Sequence, residues 1–91
     1  MTPYEYAVYR KAIDKYGAIH QIIKAVEEMS ELTKELCKYL DAKPDIDHIA
    51  EEIADVEITL AQLKMILHCE DQIEDWRLKK VERLEERIKV E

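Results

Sequence analysis

Phenylalanine is absent from this chain, glycine occurs once and proline twice. Glycine and proline punctuate tight turns and strand ends, so there is little punctuation for a many-stranded fold. Cysteine occurs only as Cys37 and Cys69. Two thiols do not make a disulfide framework, which leads to the expectation of free thiols in a reducing, cytoplasmic setting. No apolar run approaches a membrane span, and no signal peptide precedes the cysteines, so no membrane partner is expected. Positive charge is also scarce, with 14 bases against 21 acids and a net charge of −7. The imbalance is concentrated. From Glu27 to Glu57 there are 11 acids and three bases, a local charge of −8. An acidic centre disfavours duplex nucleic acid and anionic membranes, which both need basic patches, and it suits multivalent cations.

What is present favours helix. Ala, Leu, Glu and Lys outnumber Val, Ile and Thr. At 91 residues the chain is one domain, and a chain this short is marginally stable alone, for which oligomerisation is a common remedy. Thr2, Pro3 and Glu5 form a capping-box start, and Gly17 is placed to stop the helix, giving helix 1 over about 3–16. Apolar residues at helical spacing, from Ile19 to Leu40, carry helix 2 over about 18–42, broken by Lys43 and Pro44. Asp45 or Asp47 caps helix 3, about 46–69, and an Asp71–Glu74 capping box opens helix 4, about 72–89. The expected fold class is all-α, a four-helix bundle.

Helix 3 has two apolar faces. One carries Ile49, Ile53, Val56, Leu60, Leu63 and Leu67; the other carries Ala50, Ala54, Ile58, Ala61 and Met65. A helix apolar on two sides is buried between layers. The alanine-rich face would admit a close helix from a partner subunit, so a homodimer or homotetramer is expected to complete the bundle.

Between those faces runs a polar stripe containing Glu52, Asp55, Thr59 and Gln62, with His48 and Glu51 at its upper end. Helix 2 has a matching stripe of Gln21, Lys24, Glu28, Glu31 and Glu35. Spacings of three and four stack these side chains. A short connection favours antiparallel packing, which would turn the glutamates of helix 2 toward Glu52 and Asp55. Carboxylates converging in a partly dry groove repel one another unless a cation sits among them. Oxygen donors without thiolates or clustered imidazoles suit a hard ion, magnesium or manganese. Magnesium keeps waters and bridges to phosphates, so a phosphate-bearing substrate is expected. On helix 4, Trp76, Lys80, Arg83 and Arg87 align at steps of four, three and four, a stripe that could hold a triphosphate.

The segments Glu27-Glu28-Met29-Ser30-Glu31-Leu32 and Glu51-Glu52-Ile53-Ala54-Asp55-Val56 resemble the paired ExxE and ExxD signature of the MazG-like family. These are all-α nucleoside triphosphate pyrophosphohydrolases, with dimeric dUTPases and a phosphoribosyl-ATP enzyme as relatives. The resemblance covers about residues 18–88 and is closest to short, phage-type members; Lys80-Val81-Glu82-Arg83 looks like the family's basic element, although the longer C-terminal basic motif is lacking. It implies a MazG-like bundle that cleaves between the α and β phosphates of a nucleotide, releasing the monophosphate and pyrophosphate. It also implies a metal site of Glu28, Glu31, Glu52 and Asp55. A further acid, Glu27 or Glu51, is the candidate proton acceptor, and the sequence does not choose between them. Gln21, Lys24, Trp76, Lys80, Arg83 and Arg87 are the candidate substrate contacts.

Each residue also has a plainer reading. Lys24 precedes Glu28 by four and would pair with it. The helix 4 bases alternate with Glu82, Glu85 and Glu86, as in an ordinary salt-bridged helix, and Trp76 and the tyrosines of helix 1 fit a core as well as a base contact. His48 fits a surface or capping residue, and the histidines and cysteines match no zinc spacing. The rival function is a non-catalytic helical dimerisation or regulatory module, which has no need of carboxylates beside an apolar interface.

Overall fold

Thr2 starts the first helix as its residue type and spacing predict. In the computed structural model, which describes residues 1–91, Thr2 Oγ1 accepts from the Glu5 backbone N–H at 3.0 Å. Glu5 Oε1 accepts from the Thr2 N–H at 2.9 Å, completing the box for α1 (Pro3–Tyr16). Gly17 then turns the chain at φ 91, ψ 152, a region open essentially only to glycine. Its N–H donates to the Ile13 carbonyl at 2.8 Å, and its own carbonyl accepts from the Gln21 N–H at 3.2 Å. One residue thus closes α1 and opens α2 (Ala18–Leu40).

The later boundaries differ from expectation by one or two residues. Ala42 at φ 62 is left-handed, so α2 stops at Leu40 rather than near residue 42. His68 at φ 50 ends α3 (Ile46–Leu67) in the same way, before Cys69. The backbone then re-enters helix at once, and α4 (Glu70–Val90) starts from Cys69 with no side-chain cap. The Asp71–Glu74 capping box does not form, because Asp71 already lies in the first turn, where its charge meets the positive end of the helix dipole. Asp45 caps α3, accepting from the His48 N–H at 3.0 Å. The chain is all-α, with four helices and no strand.

Helices α2 and α3 form the central antiparallel pair. Gln21 meets Gln62, Glu28 meets Asp55, and Glu35 meets His48, so numbering falls on one helix as it rises on the other. Half of the ten buried residues are polar: Gln21, Glu35, Glu52, Thr59 and Gln62. An ordinary two-helix seam is apolar, so this one is built for more than packing. Helix α1 lies across both helices, burying Ile13. Its Met1, Glu5 and Tyr9 lie alongside Ala54, Ile58 and Ala61, so the alanine-rich face of α3 is partly met within the chain, and Met65 on it is buried. The other apolar face stays open at Ile53, Leu60 and Leu67, and Ile23 and Val26 of α2 are exposed as well.

Helix α4 packs along none of the other three and buries no residue. It therefore does not close a four-helix bundle within one chain. The radius of gyration is 16.1 Å, against about 12 Å for a compact chain of this length. The accessible surface is 7237 Å², against about 5,500 Å² for a compact monomer of this mass. No helix is long and apolar enough to cross a membrane.

Candidate metal centre

The carboxylates meet where the α2–α3 seam turns polar. One oxygen from each of Glu28, Glu52 and Asp55 lies within 4.8 Å of the others. Glu52 is buried and Asp55 and Glu28 are half-buried, one from each side of the seam. Helical geometry produces this: Glu52 and Asp55 are three apart on one helix, and antiparallel packing sets Glu28 opposite them.

Glu52 is the centre of the group. Its Oε1 lies 3.3 Å from His48 Nε2. Its Oε2 is buried and has no hydrogen-bond partner. Burial pushes the Glu52 carboxyl above its usual range, the neighbouring charges of Asp55, Glu28 and Glu31 push it further, and His48 opposes them. A buried carboxylate oxygen with no donor is costly. It is the arrangement expected of a ligand atom whose partner is a cation. All three converging side chains offer hard oxygen donors, so the set fits magnesium or manganese.

Other sequence-predicted residues fall around this group. Glu31 is exposed and outside the three-carboxylate set, although its charge is felt at Glu52. Lys24 Nζ pairs with Glu28 Oε1 at 3.1 Å, and Glu28 holds the ammonium charged to higher pH, with Glu27 and Asp55 adding to the effect. Lys24 is thus a tethered counter-charge at the edge of the cluster. Glu51 forms a second group with Glu52 and His48, while Glu27 is exposed on α2. Gln21 is buried: its Nε2 donates to Gln62 Oε1 at 3.0 Å, and its Oε1 lies 2.8 Å from His20 Nδ1. Its amide bridges α2 and α3 across the seam.

The α4 residues are not brought to the carboxylates. Trp76, Lys80, Arg83 and Arg87 are exposed on the unpacked helix, and no α4 base is among the charges that act on Glu52. Nor are they the salt-bridged helix of the plainer reading, because Glu85 and Glu86 pair with Lys89 instead.

Two residues gain a role that the spacing of the motifs did not assign. Glu35 is 4% exposed and is held between Lys38 Nζ at 3.2 Å and His48 Nδ1 at 3.3 Å. His48 therefore bridges two buried carboxylates, Glu35 on α2 and Glu52 on α3, rather than standing free at the surface. The signal was present in the sequence: Glu35 lies two turns beyond Glu28 on the same stripe, and His48 precedes Glu52 by four. A comparison with family models found none that matches, and comparisons with curated proteins and with solved structures found no match.

Proposed function

We propose that the chain is a magnesium-dependent nucleotide pyrophosphohydrolase that cleaves a nucleoside triphosphate between its α and β phosphates and works as a homo-oligomer. The observation that carries the metal part of this reading is the buried, unpartnered Oε2 of Glu52 beside Glu28 and Asp55. The nucleotide part rests on the resemblance of the two motifs to the MazG-like signature. Glu28, Glu52 and Asp55 bind the cation, with Glu31 adding negative charge at the rim. When bound, magnesium neutralises phosphate charge and lowers the pKa of a coordinated water. His48 orients Glu52 through its Oε1, and Lys24 stands beside Glu28 as a counter-charge at the edge of the site. Glu51, grouped with Glu52 and His48, is the better placed of the two candidate proton acceptors, because Glu27 stands outside that group.

The open apolar surfaces on α3 and α4 favour assembly, which supports the oligomeric part of the reading and equally the rival view of a purely structural dimerisation module. That rival leaves the buried Glu52 oxygen without a purpose. The test is a screen of nucleoside triphosphates with magnesium, detecting pyrophosphate and phosphate separately. Release of pyrophosphate with the monophosphate supports the proposal. Release of phosphate alone, or no turnover of any nucleotide, overturns it.

A further inference from the structure

Beyond its first turn, which lies near α1 and the end of α3, helix α4 is covered by nothing in its own chain. In proteins most helical stability comes from packing of an amphipathic face, so α4 needs a partner surface. Its side chains are sharply sorted. At about 100° per residue, Ile73, Trp76, Val81, Leu84 and Ile88 share one side, and Lys80, Arg83 and Arg87 lie among them; the acids Asp75, Glu82 and Glu86 take the opposite side. None of those three bases has an ion-pair partner within the chain.

A complementary surface exists on α3. The N-terminal half of the alanine-rich face, which α1 borders at Ala54 and Glu57 but does not cover, carries Asp47, Ala50, Glu51, Ala54 and Glu57, and every one of these five residues is exposed. Its three acids likewise have no ion-pair partner. The apolar part of this face is small, where that of α4 is large, and the signs of charge are opposite. Small residues on one helix let large ones from another sit close, and opposite charges at the rim fix orientation.

We infer that α4 of one chain docks on the alanine-rich, acidic face of α3 in a second copy of the chain, placing Lys80, Arg83 and Arg87 against Asp47, Glu51 and Glu57 of that copy. The exchange is reciprocal across a two-fold axis, as closed homodimers require. The area agrees: each chain exposes about 1,700 Å² more than a compact monomer. Covering that excess on both chains gives an interface of the size found in obligate homodimers, about 2,000–5,000 Å². The docked bases also lie on the side of α3 that carries Glu51 and Asp55, so each acidic cluster would gain its cations from the other subunit. This inference rests on the oligomeric part of the proposed function and not on the metal or the nucleotide.

The experiment is sedimentation velocity of the full chain over a dilution series. The unaltered protein is expected to run as a dimer that salt weakens. Lys80→Glu/Arg83→Glu/Arg87→Glu is expected to shift it to a 10.8 kDa monomer. Asp47→Lys/Glu57→Lys is expected to do the same, and mixing the two variants to restore a dimer. Circular dichroism confirms that α1–α3 remain folded, since Lys80, Arg83 and Arg87 are exposed and lie beyond the first turn of α4. A dimer that survives the α4 charge reversal places the interface elsewhere and overturns α4 docking while leaving oligomerisation intact. A monomeric unaltered protein overturns both. A monomer whose α4 instead binds phosphatidylserine vesicles makes the helix a membrane-surface element and overturns the inference.

Discussion

The Gln21–Gln62 hydrogen bond sets the register that brings Glu28 opposite Asp55, and it can be tested by a double-mutant cycle. Both side chains are buried, at 7% and 4% exposure, and Nε2 of one donates to Oε1 of the other at 3.0 Å. Replacing Gln62 by Leu keeps the volume but leaves the buried Gln21 amide without its acceptor. The cost is about 1–3 kcal/mol for a buried donor left unsatisfied. Each kcal/mol lowers the melting temperature of a domain this size by about 4–8 °C. Gln21→Leu carries a similar cost, because Gln62 Oε1 is orphaned and His20 loses its contact. With both replaced, the seam becomes apolar and most of the loss returns. Thermal melts by circular dichroism, at fixed protein concentration, give the four corners of the cycle. Losses that simply add, or single variants that melt with the unaltered protein, would show that these amides are not paired in solution and that the register is wrong.

Glu52 gives a pH prediction. Burial, followed by Asp55 and Glu28, raises its carboxyl above the ordinary 4.5, so the folded state keeps a proton that the unfolded chain has already released. The metal-free protein therefore loses stability as pH rises from about the ordinary value through the raised one, and the penalty is complete above it. Glu52→Gln removes that slope and is more stable than the unaltered protein at neutral pH without metal, an order that magnesium reverses; urea melts across pH read both. Gly17→Ala is expected to cost about 1–3 kcal/mol, from backbone conformation alone, since nothing lies within 4 Å of an added Cβ; a melt unchanged from the original sequence would contradict the φ of 91. Asp55→Asn is expected to weaken magnesium binding more than Glu31→Gln, because Asp55 is in the converging set and Glu31 is outside it. Equal losses by calorimetry would place Glu31 among the ligands.

Much of the fold was legible because local chemistry decided it. The Thr2 capping box, Gly17 and Pro44 each act within a few residues, and the 3.6-residue apolar period needs no tertiary information. The left-handed stops at Ala42 and His68 were not legible, because neither is the glycine or asparagine that usually marks such a stop. The pairing of Glu28 with Glu52 and Asp55 followed from spacing and antiparallel packing. The separation of Glu31 from them depends on how far α2 is rotated about its axis, which periodicity does not fix. The Gln21–Gln62 contact joins residues 41 positions apart, so no local pattern announces it. The stripe on α4 was visible as a stripe, but its distance from the carboxylates is set by the sharp turn at His68 and Cys69.

The account's central claim is that Glu28, Glu52 and Asp55 together hold a divalent cation. Titration of the full chain with manganese, followed by the loss of the free-ion electron paramagnetic resonance signal, tests it without any assumption about substrate. The expected result is saturable binding that magnesium competes away and that Glu52→Gln abolishes while the helical circular dichroism spectrum stays unchanged. Binding that does not saturate, or that Glu52→Gln leaves intact, would contradict it.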